Sequence, residues 1–252
     1  MSRLLDAPSS PPGKAAKPKG GNAVMASREA SEADDVLDFY PTPPWAARAG
    51  GELIKQLDPM ARTCWEPAAG EGHMAWGLKD YFDAVACSDI HDYGPHLGLT
   101  GDFLSLSWPG AFEIDWIVTN PPFVLGEAFI RKAWAQAARG VAMLLRLQFI
   151  EGGGRHALFT EDCPLTVLAP FCERVPMHKG RWEPDGSTTT AYAWFIFAKA
   201  YALPDWAGPA SLGGQTQVRL IPPGTKDRLS KPGDRARFGH PETAQLDLGG
   251  EA

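Results

Sequence analysis

The chain has 252 residues, 44% hydrophobic and 21% charged, with a formal net charge of -6. This composition suits a soluble protein with one good-sized domain, and it excludes a chain that coats nucleic acid by broad charge attraction, which needs a basic surface. No apolar run reaches the ~18 residues of a membrane span and the N-terminus lacks the apolar centre of a signal peptide, so a cytoplasmic location is expected.

Residues 1–35 are rich in Pro, Gly, Ala, Ser and charge, and predict a disordered N-terminal segment, because so little apolar surface cannot offset the entropy of ordering. The core is expected over 36–203, and residues 204–252 read as a largely disordered tail in which only "TQVRLIPP" has the pattern of a short strand.

Within the core the first helix is predicted over "PPWAARAGGELIKQL" (43–57), with Thr42 before Pro43 as a cap and first-turn pair. A strand follows in "RTCWEP" (62–67), then a loop in which Gly70 and Gly72 give main-chain freedom and Ala68 and Ala69 leave room for a ligand. Glu66 faces this loop and Glu71 lies within it, so a cationic or hydroxylated ligand suits it better than pyrophosphate. "GHMAWGLKDYF" (72–82) predicts a helix and "DAVACSDI" (83–90) a strand that ends at Asp89, about 20 residues past the glycine loop, where a carboxylate can accept ribose hydroxyls. In "LTGDFLSL", Asp102 and Phe103 could hold an adenine by its amine and its face, or Asp102 could simply start a turn.

The strand "IDWIVT" (114–119) runs into Asn120, Pro121, Pro122 and Phe123. Two prolines cannot donate to a sheet and hold their neighbours extended, so the segment fixes the directions of nearby acceptors. Apolar positions 129, 130, 133, 134 and 137 predict a helix in "EAFIRKAWAQAA" (127–138). Strands are then expected at 140–147, 165–171 and 190–200, where Trp194 reads as core. Near-continuous apolar strands alternating with helices predict an α/β fold with a parallel sheet covered on both faces, and ligands at the carboxyl ends of its strands. Arg174, His178, Lys179, Arg181 and Trp182 form a local basic cluster, with Arg155 in a glycine-rich loop as a second contact for phosphate. The four cysteines show neither metal-ligand spacing nor a disulfide frame, and no metal is expected.

"EPAAGEG", Asp89, "GDF" and "NPPF", in that order and preceded by "DFYPTPPWAA" (38–47), resemble the class I S-adenosylmethionine-dependent DNA methyltransferases of the adenine-N6 type. The order is similar to the gamma arrangement, and "ERVPMHKGRWEPDGSTTTAYAWFIFAK" (173–199) resembles small phage and prophage members. The resemblance implies a Rossmann-like, seven-stranded, mostly parallel sheet with helices on both faces. It implies S-adenosylmethionine as cofactor, with Glu66, Pro67, Ala68, Gly70 and Gly72 under the methionine part and sulfonium. Asp89 would take the ribose, Asp102 and Phe103 the adenine, and Tyr40, Thr42 and Pro43 would close the methionine end. Asn120, Pro121, Pro122 and Phe123 would clamp the amine of a flipped base, with DNA as partner. The chain departs from the pattern by lacking a sizeable target-recognition region, so a homodimer or a separate specificity chain is an alternative source of recognition. An RNA guanine, a protein glutamine or a cytosine N4 amine would suit the same clamp.

Overall fold

The structure, a computed structural model, describes residues 39–110, 113–202 and 215–239. The chain divides into Met1–Val36 and Leu37–Ala252, and every described residue belongs to the second unit. The N-terminal segment 1–35 therefore lies outside the described residues, as do 203–214 and 240–252.

The order is α1 (Pro44–Leu57), β1 (Thr63–Glu66), α2 (His73–Leu78), β2 (Ala84–Asp89), β3 (Leu99–Thr100), β4 (Trp116–Thr119), α3 (Gly126–Gln136), β5 (Gly140–Arg146), β6 (Val167–Pro170), β7 (Tyr192–Ala198), β8 (Gln217–Val218), α4 (Thr225–Leu229) and α5 (Pro232–Phe238). The sheet runs β3-β2-β1-β4-β5-β7-β6-β8. It is parallel throughout except for β7, which lies antiparallel to β5 and β6. The expected α/β architecture holds, with one correction: the sheet has eight strands instead of seven. The added edge is β8, from the "TQVRLIPP" segment, which pairs with β6.

Both faces of the central strands are buried, and the strand period of two sorts their side chains between two cores. From β5, Ala142 and Leu144 join one core with Trp45, Ile54 and Leu57 of α1. Val141, Met143 and Leu145 join the other with Phe129 and Ile130 of α3. β7 divides in the same way, Trp194 and Ile196 to the first core and Phe195 and Phe197 to the second. Trp194 is fully buried and donates its indole N–H to the Ala46 carbonyl at 3.0 Å, which makes it core. Buried Asp58, just past α1, accepts from the Trp116 indole at 2.9 Å and from the Arg139 guanidinium at 2.7 and 2.6 Å. It ties the end of α1 to the starts of β4 and β5.

The tail needs a second correction. Residues 215–239 fold onto the domain, where the sequence predicted little beyond a short strand. The most deeply buried of the contacts that hold them is an ion pair 186 residues apart in sequence: Arg48 of α1 meets Asp234 of α5 through two bonds of 2.6 and 2.8 Å. Arg48 also donates to the Leu229 carbonyl at 2.8 Å and to Asp80 at 2.5 Å. Asp234 takes the Trp76 indole N–H at 3.0 Å and the Lys231 amide at 2.9 Å. The Arg48 and Asp234 side chains are only 2% and 4% exposed. Burial works against the Asp234 charge, but its bonds from Arg48, the Lys231 amide and the Trp76 indole outweigh that and hold the carboxyl below its ordinary range.

Candidate functional site

The strand order reverses between β1 and β4, and a crevice opens there at the carboxyl ends, where α/β sheets bind ligands. Its volume is about 780 Å³ counted out through the mouth. Its lining includes Tyr40 and Thr42 ahead of α1, Glu66, Pro67 and Ala68 at the end of β1, Asp89, Asp102, Phe103, Asn120 and Pro122. Ten of the predicted site residues therefore share one wall.

The loop after β1 explains part of this. Gly70 and Gly72 both adopt positive φ, at 50° and 84°. A Cβ on Gly70 would also come within 2.3 Å of the Phe39 ring. The turn directs the Gly70 amide to the Asp89 carboxylate at 2.8 Å, and the His91 amide caps its other oxygen at 3.0 Å. A carboxylate offers about four lone-pair sites, so Asp89 is fixed in orientation and still open to further donors. Asp102 accepts from the Leu104 amide and the Ser105 hydroxyl, both at 2.9 Å, so it starts a turn and also faces the crevice. Phe103 is buried against Trp65 and Phe129, with ring centroids 5.2 and 4.9 Å away.

Asn120 emerges from β4 with its amide nitrogen committed. Nδ2 donates to the Tyr40 carbonyl at 3.1 Å and approaches the Met177 sulfur at 3.7 Å. Its Oδ1 is buried without a hydrogen-bond partner. The carboxamide thus turns an acceptor to the site and its donors to the protein. The Pro122 carbonyl is taken by the Leu125 amide at 2.9 Å.

Glu66 is 2% exposed, and its Oε2 is likewise unpartnered. Burial pushes its carboxyl well above the usual range; the Ala75 amide opposes this, and nearby Asp89 adds to it. His73 lines the same crevice, 3% exposed, and its Nδ1 has no hydrogen-bond partner and stands 3.9 Å from the Glu71 carboxylate. Burial first, then Arg237 and His96, lowers its pKa to about 3, which keeps the ring neutral. Phe238 of α5 stacks on it at 4.0 Å, and Trp182 stands edge-on at 6.2 Å. Sequence reasoning missed His73, Phe39 and Tyr93, all on the wall. His73 directly after the glycine loop was a usable signal, whereas Phe39 and Tyr93 find each other, at 5.2 Å, only through the fold.

Several predicted residues stand off the wall. Pro43 is the N-cap of α1, where it makes no side-chain cap, and Thr42 is not the cap that the sequence suggested. Gly70 and Gly72 shape the loop from behind, Gly72 as the N-cap of α2. Pro121 is buried and Phe123 sits beside Tyr40, its ring centroid 5.0 Å away. Among the basic candidates, Arg155 donates to the Phe149 carbonyl at 2.7 Å and Arg174 to the Thr189 carbonyl at 3.0 Å. Arg181 pairs with Glu183, and His178 lies 3.6 Å from the same carboxylate, while Lys179 is exposed. Their loop reaches the site, since the Gly180 amide donates to the Phe39 carbonyl at 2.8 Å. Cys64, Cys87 and Cys163 are buried free thiols and Cys172 is exposed. Among the described residues no group of three or more His, Cys, Asp or Glu could hold a metal ion, and no helix is long and apolar enough to cross a membrane.

No protein-family model matches the sequence, and no curated protein matches it. In fold the chain is similar to the methyltransferase subunit of a type I restriction-modification system from Streptococcus thermophilus, with TM-score 0.50 and 11% identity over 64% of this chain and 45% of that one. It is also similar to an RNA methyltransferase candidate from Pyrococcus horikoshii, with TM-score 0.50 and 15% identity over 65% and 88% of the two chains. The match thus spans less than half of the restriction-modification subunit. At these identities the likeness establishes the Rossmann-like fold alone.

Proposed function

We propose that this protein transfers a methyl group from S-adenosylmethionine to the exocyclic N6 amine of adenine in DNA. One observation carries the proposal: Asn120 Oδ1, Glu66 Oε2 and His73 Nδ1 are all buried without a hydrogen-bond partner, on residues that line one crevice. Buried polar atoms are seldom left unpaired, and several in one cavity mark a site built for a polar ligand. Among the described residues no lysine or arginine lines the crevice, which favours a cationic or hydroxylated ligand over a diphosphate. Carboxyl groups of Glu66 and Asp89 suit an ammonium, a sulfonium and ribose hydroxyls, so the residues fit S-adenosylmethionine. The resemblance of the "NPPF" segment and of the motif order supports the same choice.

When bound, S-adenosylmethionine supplies an electrophilic methyl on a cationic sulfur. The chain's own residues prepare the nucleophile. Adenine's amine is weak because its lone pair is delocalised into the ring. With one N–H accepted by Asn120 Oδ1 and the other by the Pro121 carbonyl, the amine is held with its lone pair directed at the methyl. Tyr40 keeps Asn120 in that pose through the 3.1 Å bond, so little reorganisation remains at the moment of transfer. The base must leave the duplex to reach the clamp, and the Tyr40 ring on the crevice wall, backed by Phe123 at 5.0 Å, stands ready to receive a flat ring. The amine's proton passes to solvent after transfer, and no general base is assigned.

The test is methyl transfer from labelled cofactor to unmethylated DNA, ribosomal RNA and a release factor side by side, followed by base analysis of the DNA. N6-methyladenine is the expected product. Label in RNA or protein alone, or N4-methylcytosine in the DNA, would overturn the assignment.

A further inference from the structure

Arg146 is the last residue of β5, the strand next to β4, which carries the clamp. Its guanidinium carbon stands 3.9 Å from the centroid of the Phe123 ring. A stacked guanidinium uses its face and leaves the N–H groups along its edge free, held in a rigid fork that matches phosphate. Other arginines of this acidic chain spend that fork on carboxylates: Arg48 on Asp234, Arg131 on Asp162, Arg139 on Asp58 and Arg228 on Glu52. The Arg146 side chain is exposed and, apart from its stacking on Phe123, makes no hydrogen bond or ion pair with the described residues. Val124, next in sequence to Phe123, is 90% exposed.

We propose that Arg146 binds the backbone phosphate next to the target nucleotide, with the Phe123 ring holding its fork in place. This rests on the methyl-transfer assignment and deepens it, because a phosphate contact at the mouth of the clamp makes the substrate a nucleic acid and not a protein amide. The basic cluster around residues 174–181 is largely engaged by the protein itself, which leaves Arg146 as the better-placed cation.

The test measures binding of a fluorescent adenine-containing DNA duplex by the full chain from 50 to 250 mM KCl, alongside calorimetry with S-adenosylmethionine. Arg146→Ala is expected to weaken DNA binding by about tenfold and to lower the slope of log affinity against log salt by about 0.9, the value for one lost phosphate contact. Arg146→Lys should retain part of the slope and bind less tightly than wild type, because an ammonium neither stacks as well nor forks. Cofactor affinity should stay the same in both variants. An unchanged salt slope in Arg146→Ala, or wild-type protein that binds no DNA, overturns the phosphate assignment. Failure of the unmutated protein to bind the cofactor overturns instead the methyl-transfer assignment beneath it, so the two failures are distinct.

Discussion

Replacing Asp234 by alanine tests how the C-terminal helices are held. In the native chain Asp234 accepts two bonds from Arg48, one from the Trp76 indole and one from the Lys231 amide. Without it, Arg48 keeps only Asp80 and the Leu229 carbonyl, and its charge stays almost wholly buried. Removing one partner of a buried pair typically costs about 3–5 kcal/mol. The surviving Asp80 contact puts this site at the lower end, about 3 kcal/mol. For a domain of this size about 2–4 °C of Tm is lost per kcal/mol, so the variant should melt about 6–12 °C lower by calorimetry at pH 7. The double variant Arg48→Leu, Asp234→Leu should recover most of the loss, since an apolar pair of similar volume often matches a buried ion pair. The acid limb follows from the direction of the Asp234 shift. Its folded pKa lies below the ordinary 3.8, so its stabilisation is complete above that value and disappears as pH falls through the folded one. Wild type should therefore lose stability below about pH 4 more steeply than Asp234→Ala does. A Tm drop under 2 °C, or equal acid slopes, would show that the pair does not hold the tail.

Three further outcomes are expected. Asn120→Ala should lower methyl transfer at least about 10³-fold, the upper range for losing a preorganised polar contact, while calorimetry finds cofactor affinity within about threefold of wild type. Glu66→Gln should raise Tm at pH 8. The folded Glu66 pKa lies above the ordinary 4.5, so stability is lost as pH rises from that value towards the folded one, and a neutral amide removes the slope. The same variant should weaken cofactor binding, and a Tm no higher than wild type at pH 8 would contradict the burial argument. His73→Phe should leave Tm within about 2 °C, because the ring is already neutral and stacked on Phe238, but should weaken cofactor binding about tenfold; unchanged affinity would mean that Nδ1 meets no ligand.

Much of the domain was legible because local patterns carried it. Each of the six strands expected in the core formed, and the helical stripe at 129, 130 and 133 became the buried face of α3. The glycine loop, Asp89 and Asn120 were legible for a different reason, since each ends an apolar strand and the carboxyl edge of such a sheet is where ligands gather. What the sequence hid depends on distant partners. β8 has two residues and exists only by pairing with β6, and α4 and α5 are too short to hold by propensity. Asp234 in "KPGDRARF" looks like any surface acid until Arg48 lies opposite it. Arg146 closes an apolar run and resembles an ordinary strand end, and its contact with Phe123 is made across two neighbouring strands.

The bond from Asn120 to the Tyr40 carbonyl makes one short segment serve two parts of the crevice. Residues 40–42 flank one end of the crevice, and the same segment sets which way the carboxamide of Asn120 faces. That bond is already in place, so the wall of the crevice and its acceptor move as one unit: a substitution that displaces residues 40–42 also turns the Asn120 carboxamide.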